Sequence, residues 1–116
     1  MNKFKDLLVW QKAMDLAKNI YEITSDFPSE EKFGLTSQIK RSAISIPSNI
    51  AEGAGRNAKN EFKHFLSIAQ GSSFELETQL ILAEKLSFIS KNKTEVVLES
   101  LQEIQKMISG LQKTLN

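Results

Sequence analysis

Apolar residues recur at steps of three and four along most of this 116-residue sequence, which is the spacing of amphipathic helices. The first such segment predicts a helix over residues 8–25, ended by the Ser-Asp-Phe-Pro run at residues 25–28. Asp6 is placed to cap its start, and Ser29 with two glutamates after it favours a further helical start. The residues expected on the buried face are Trp10, Ala13, Met14, Ala17, Ile20, Tyr21 and Thr24.

The second segment predicts a helix over residues 33–53 with two distinct faces. Pro47 lies in its middle, where the missing backbone donor predicts a kink. The Gly-Ala-Gly step at residues 53–55 is expected to end the helix with glycines of positive φ. At 100° per residue, one narrow buried stripe contains Ile39, Ala43, Ile46 and Ile50. The opposite, polar stripe contains Arg41, Ser45, Ser48, Asn49, Glu52 and Arg56.

The third predicted helix, residues 60–88, has apolar residues on more than one side. A helix of this kind needs more than one partner, either neighbouring helices or another subunit. The principal face comprises Phe62, Leu66, Ala69, Ser73, Leu76, Leu80 and Ala83. The residues that lie away from it are Ile68, Phe74, Ile81 and Leu82.

The fourth predicted helix, residues 94–115, carries a heptad seam typical of coiled-coil-like packing. The seam consists of Val97, Leu101, Ile104, Ile108, Leu111 and Leu115. Four helices with short connections predict an all-α fold, an antiparallel up-down-up-down four-helix bundle. The length accommodates one domain, residues 1–116.

Composition and charge exclude several classes of protein. The chain is 41% hydrophobic and 25% charged, which excludes a disordered protein. Its net charge is +1, so a basic surface requires local segregation, and residues 29–59 carry five basic and three acidic groups. The sequence contains no cysteine, and it shows neither a signal peptide nor a membrane span. We therefore expect a cytoplasmic protein that does not engage a membrane.

Catalytic patterns are weak. A di-iron bundle needs two Glu-x-x-His pairs, whereas this chain has one such pair, Glu61 and His64, and no second histidine. There is no Gly-x-Ser-x-Gly elbow, and the turn at residues 53–56 lacks the Lys-Ser/Thr of a P-loop. We predict no catalytic residue, no metal, no cofactor and no small-molecule substrate, and hence a protein that is not an enzyme.

The strongest candidate site is a set of cations around the second interhelical turn, which could neutralise phosphates. The candidate contacts are Lys40, Arg41, Arg56, Lys59, Lys63 and His64. An alternative is that Arg41 and Arg56 bond Glu52 and Asn49 within one helix, or reach across a subunit boundary. The residues expected to shape the helix or an interface are Ser45, Pro47, Asn49, Glu52, Gly53 and Gly55.

Three sequence segments carry a family resemblance. They are the FKDL and VWQKAM runs within residues 4–14, the RSAISIPSNIAEGAGR run at residues 41–56, and the FKHFLSIAQGS and ELETQL runs within residues 62–80. Together they resemble the 23S rRNA intervening-sequence (S23-type) proteins over residues 4–115. The resemblance implies a four-helix bundle that assembles into a homopentamer around an axial channel. It also implies kinship with the accessory variability determinant of diversity-generating retroelements, a basic pentameric barrel that binds a reverse transcriptase and nucleic acid.

Two functions follow as hypotheses. The first is a non-enzymatic, self-assembled binding protein whose partner is RNA or a nucleic-acid-processing protein, with Arg41, Arg56, Lys59 and Lys63 at family positions that are commonly basic. The alternative is a protein–protein scaffold without direct nucleic-acid binding, in which the polar stripe of the second helix is a network between subunits.

Overall fold

Four α-helices contain most of the residues that the computed structural model describes, which are residues 3–116. They are α1 (Leu8–Thr24), α2 (Leu35–Ala54), α3 (Lys59–Lys85) and α4 (Lys91–Thr114), with short 3-10 helices at Lys3–Asp6 and Ser29–Glu31. Within that part of the chain there is no β-strand. The predicted all-α fold of four helices is confirmed. The four helices pack as a bundle that measures 43 × 23 × 20 Å.

The core of the bundle receives one stripe from each helix. The predicted α2 stripe is completely buried, and every predicted α3 core residue except the half-buried Phe62 is buried as well. In α4, the first four residues of the heptad seam are buried and the last two are half-buried. Burial of apolar side chains of this size stabilises the fold by about 1.5–3 kcal/mol for each fully buried one.

Helix α1 is rotated relative to the prediction. Val9 and Leu16 are buried although the predicted face omitted them, while Met14 and Tyr21 are exposed. The core side of α1 faces both α2 and α4, and this places the neighbouring Met14 and Tyr21 stripe on the outside of the bundle. The predicted α1 face is therefore wrong at these two residues.

The starts of α1 and α2 differ from the predictions. Asp6 does not cap α1: it belongs to the preceding 3-10 helix, and the N-cap residue is Leu7, without a side-chain cap. Helix α2 begins at Leu35, whose backbone N–H donates to Glu31 Oε1 at 3.2 Å. The glutamate caps α2 from four residues upstream, and Phe33 is left 91% exposed outside the helix.

The connection between α3 and α4 lies three residues earlier than the prediction. Helix α3 ends at Lys85, and Ser87 adopts a φ of 63°. The N–H groups of Ser87 and Phe88 donate to the carbonyls of Glu84 and Ala83, both at 2.9 Å, which is the Schellman arrangement. Helix α4 then begins at Lys91 because the Ser90 hydroxyl accepts the N–H of Lys93 and caps it.

Polar contacts show which parts of the helices lie side by side. Lys12 in α1 pairs with Glu103 in α4 at 2.6 Å. Ser67, near the start of α3, accepts a hydrogen bond from Gln112 near the end of α4 at 3.1 Å. Lys63 donates to the side-chain oxygen of Asn116. The first turns of α3 therefore lie beside the last turns of α4.

Candidate nucleic-acid interface

Arg56, which follows the end of α2, is held by three groups. Its guanidinium pairs with Glu52 at 3.2 Å and with Glu61 at 3.6 Å, and its Cζ lies 5.2 Å from the centre of the Phe65 ring. The bond from Arg56 to Glu52 confirms one part of the alternative prediction. Arg56 ties the end of α2 to the first turns of α3, and much of its charge is already balanced by these carboxylates.

The remaining cations of the turn belong to α3. Lys59 and His64 are exposed, whereas Lys63 is half-buried and donates to Asn116. The His64 ring meets the Phe65 ring edge to face at 5.4 Å. Among residues 3–116, neither lysine has a carboxylate within ion-pair distance. Both lysines therefore present charge that no carboxylate of the described residues neutralises.

The structure separates Lys40 and Arg41 from the other predicted contacts. Both lie in the first turns of α2, about 20 Å along the axis from its end at a rise of 1.5 Å per residue. The Lys40 ammonium lies 4.8 Å from the centre of the Tyr21 ring on α1, a cation–π contact. The prediction that all six cations bracket one turn is therefore wrong for these two residues.

Part of the α2 polar stripe faces α3 and not solvent. The hydroxyls of Ser45 and Ser72 lie 2.7 Å apart across the two helices. Asn49 Nδ2 donates to the Ser45 hydroxyl at 2.9 Å and to the Ser45 carbonyl at 2.8 Å. Ser45 and Asn49 are half-buried, and Ser72 is buried. These side chains form a polar link inside one subunit, so Asn49 does not bond Arg41 or Arg56 as one alternative predicted.

Gly53 and Gly55, at the end of α2, do not end the helix through a positive φ as predicted. Neither has a positive φ, and Gly55 caps the helix at a φ of −77°. Gly53 is required for close approach, because an added Cβ would lie 2.7 Å from Phe65 Cβ and 3.0 Å from Phe62 Cδ1. Only a hydrogen side chain lets α2 and α3 pack this closely.

The bundle surface has grooves that were not predicted, and two of them carry exposed aromatic side chains. The first, named here the α1–α2 groove, has a volume of about 560 Å³ and an almost entirely apolar lining. Its main lining residues are Phe4, Trp10, Met14, Tyr21, Ile44 and Pro47. Lys18 lies at the same groove, and Lys40 sits over Tyr21. Sequence periodicity predicts Trp10, Met14 and Tyr21 in the core. Their three- and four-residue spacing is equally compatible with the lining of a surface groove.

The second, named here the α3–α4 groove, has a volume of about 420 Å³. Phe74 lies on its α3 side, and Lys106 and Lys113 lie on its α4 side. The two lysines are seven residues apart, a spacing that places them on the same side of a helix. This spacing is visible in the sequence, but the third helix that faces them is not.

Within residues 3–116, no group of three His, Asp or Glu side chains is arranged to hold a metal ion. None of the helices in that range is both long and apolar enough to span a lipid bilayer.

Comparison with known proteins identifies the family of this sequence. The family model described as 23S rRNA-intervening sequence protein matches residues 5–110. The chain belongs to this family. Its match includes α1 to α3, most of α4 and every candidate contact residue. No protein with a curated description matches the sequence.

A solved structure supports the same family assignment. The chain is similar to the crystal structure of a protein with unknown function from the S23 ribosomal protein family of Bacteroides thetaiotaomicron VPI-5482. The two share 27% sequence identity with a TM-score of 0.83, over 91% of this chain and 99% of the other. Neither the 23S rRNA-intervening sequence family description nor this neighbour names an enzymatic activity.

Proposed function

We propose that this chain is a non-enzymatic subunit of a homo-oligomeric ring, a homopentamer, that binds RNA or a ribonucleoprotein partner in the cytoplasm. Each subunit is an antiparallel up-down-up-down bundle, which the contacts between Lys12 and Glu103, Ser45 and Ser72, and Ser67 and Gln112 support. The family description, which refers to intervening sequences of 23S rRNA, supports RNA as the class of partner.

The single observation that carries self-assembly is a pair of different surfaces on one chain that expose apolar side chains. One is the α1–α2 groove. The other, named here the α3 ridge, is formed by Ile68, Gly71, Glu75 and Leu82, which fall within about 60° of one another at 100° per residue. Ile68 and Leu82 are exposed although they are apolar. Exposed apolar surfaces of this kind favour contact with a partner.

The two surfaces carry opposite charge. The α1–α2 groove has Lys18 and Lys40 near it, whereas the α3 ridge carries Glu75 and borders a cleft between α2 and α3. When one surface of a subunit packs against a different surface of the next, the contact is heterologous, and it closes into a ring if the rotation allows. A ring would also repeat each basic patch around an axis and raise its avidity for a polyanion.

The test of the ring is a pair of assembly-defective variants. Ile44→Asp places a charge in the α1–α2 groove, and Leu82→Asp places one on the α3 ridge. We expect each variant alone to sediment as a monomer, while their mixture forms a heterodimer, because one intact groove then meets one intact ridge. The matched control is Val96→Asp, at a 63% exposed α4 residue that lines neither surface, which should keep the mass of the wild type.

Other results would contradict this assembly. A monomeric wild-type protein would refute self-assembly, and a mixture that stays monomeric would refute the heterologous contact. The mass of the wild-type assembly gives the number of subunits, so any number other than five refutes the pentamer.

A scaffold without nucleic-acid binding is the second candidate, and the pairing of Arg56 favours it. Because Arg56 is occupied by Glu52 and Glu61, it contributes little charge to a phosphate contact. Retention of RNA at about 50 mM salt and its loss at about 200 mM would support RNA binding. Under RNA binding, Lys59→Glu and Lys63→Glu weaken retention and leave assembly intact. Under the scaffold function, no RNA is retained, and Arg41→Glu disrupts the oligomer.

A further inference from the structure

We propose that the α3–α4 groove is a binding site for single-stranded RNA, in which Lys106 and Lys113 contact phosphates and Phe74 stacks on a base. This inference rests on the RNA-binding function proposed above and gives it a location and a strand preference. Neither lysine belongs to the set of contacts that the sequence predicts.

The charge of the groove favours a polyanion. Lys106 and Lys113 are both exposed, and among residues 3–116 neither has a carboxylate within ion-pair distance. No acidic side chain of the described residues lines the groove. Lys63 lies beside the end of α4, where its amine donates to the neutral amide of Asn116. The two lysines are therefore not paired with a carboxylate among the described residues, in contrast to Arg56, and Glu77 at the edge of the groove is occupied by a hydrogen bond from Gln105 Nε2 at 2.9 Å.

The spacing of the two lysines suits a nucleic-acid strand. Seven residues along α4 correspond to about 10 Å at 1.5 Å per residue. A stacked strand rises about 3.4 Å per nucleotide, so the positions of the two lysines along α4 match phosphates about three nucleotides apart.

Phe74 distinguishes a single strand from a duplex. Phe74 is 53% exposed on the wall of the groove, and in α3 it lies about 60–120° from the four residues of the α3 ridge, three of which border the cleft between α2 and α3 on its other side. An exposed aromatic ring beside cations is a stacking platform for unpaired bases. Bases inside a duplex are already stacked on each other and do not offer their faces.

Amide side chains complete the groove. Gln70 is held in place, because its Nε2 donates to the Gln105 carbonyl and to the Ser109 hydroxyl, both at 3.0 Å. Gln102 is exposed and, among the described residues, makes no side-chain hydrogen bond. Its amide can both donate to and accept from a base edge. The groove thus combines a rigid wall, two cations, a stacking ring and one uncommitted amide.

The experiment measures the affinity of the full-length protein for a short labelled RNA strand, and for the same strand annealed to its complement. The test variant is Lys106→Gln/Lys113→Gln. The matched control is Lys91→Gln/Lys93→Gln, which removes two exposed lysines from the first turn of the same helix, at the other end of the bundle. Phe74→Ala tests the stacking platform, and a poly-glutamate peptide tests an acidic protein segment as the occupant.

We expect the wild type to prefer the single strand. The Lys106→Gln/Lys113→Gln variant should bind it on the order of tenfold more weakly at low salt and reduce the salt slope by about 1.4, since each lost phosphate contact removes about 0.7. The Lys91→Gln/Lys93→Gln control should bind like the wild type. Phe74→Ala should weaken single-strand binding by at least about fivefold and keep the mass of the assembly.

Each other result has a distinct meaning. If the wild type binds RNA and the test variant matches its control, the groove is refuted and the proposed RNA binding stands. No RNA binding by the wild type refutes both. Equal binding of the duplex refutes the stacking platform. Lysine-dependent binding of poly-glutamate without RNA binding identifies a protein site and overturns the inference, as does a Phe74→Ala variant that alters assembly mass in place of affinity.

Discussion

Gly53 and Phe65 are in direct packing contact, so that a Cβ on Gly53 would lie 2.7 Å from Phe65 Cβ. This distance is shorter than atoms in van der Waals contact allow, and Phe62 blocks the adjacent space at 3.0 Å. The α2–α3 interface at this end of the bundle is therefore set by a residue without a side chain. Phe65 in turn lies under the guanidinium of Arg56, so the close approach also determines where that cation is held.

Gly53→Ala should destabilise the protein. The methyl group forces α2 and α3 apart, and overpacking of this kind costs about 1–3 kcal/mol. The matched control is Gly110→Ala in α4, where an added Cβ meets no atom within 4 Å. Alanine should stabilise α4 by about 0.5–1 kcal/mol. Denaturant unfolding measures both, and a Gly53→Ala variant as stable as the wild type would contradict the contact.

The bond between Ser45 and Ser72 should contribute measurably to stability. Ser72→Ala removes one partner of a hydrogen bond at a buried position, with an expected loss of about 0.5–1.5 kcal/mol. The double variant Ser45→Ala/Ser72→Ala should lose less than the sum of the single variants, with a coupling of at least about 0.5 kcal/mol. Chemical denaturation of all four proteins completes the cycle. Strict additivity would mean that the two hydroxyls do not interact.

Arg56→Gln should lower stability slightly and in a salt-dependent way. Without the guanidinium, Glu52 and Glu61 are left near each other with no cation between them. Because the ion pairs are exposed, the expected loss is under about 1 kcal/mol, and added salt should reduce it. Arg41→Gln is the matched control, since Arg41 is exposed and makes no ion pair within residues 3–116. Equal effects of the two substitutions at low salt would argue against the Arg56 pairs.

Pro47→Ala should keep the helix and weaken the proposed assembly. Alanine is favourable inside a helix, so circular dichroism should show no loss of helicity. The pyrrolidine ring, however, lines the α1–α2 groove and is lost in the variant. We expect sedimentation to show dissociation at higher protein concentration than for the wild type, with Val96→Ala unchanged. Unchanged sedimentation together with unchanged melting would mean that Pro47 is incidental to the contact.

Most of the fold is predictable because helix periodicity is local. The stripes of α2, α3 and α4 follow from residue spacing within one segment, and nearly all of their predicted core residues are buried. Helix α1 is the exception. Met14 and Tyr21 share the same three- and four-residue spacing as the core residues, so spacing cannot tell a stripe that faces the core from one that lines a surface groove.

The candidate site is less predictable because it combines distant segments. The sequence predicts one set of cations that includes Lys40 and Arg56, but most of the length of α2 separates the two residues. Arg56 is paired with Glu52 before the turn and with Glu61 after it. Lys106 and Phe74 are far apart in sequence and share one groove. Whether a cation is neutralised depends on which carboxylates fold beside it.

The sequence by itself determined the four helices, the buried stripes of α2, α3 and α4, the absence of a strong catalytic motif and the family resemblance, since each is a property of neighbouring residues. The positions of the helices relative to one another are decided by the tertiary structure, because packing at contacts such as Gly53 against Phe65 depends on atoms from separate segments. The same packing leaves the α1–α2 groove and the α3 ridge uncovered, commits Arg56 to two glutamates, and brings Lys106, Lys113 and Phe74 to one surface.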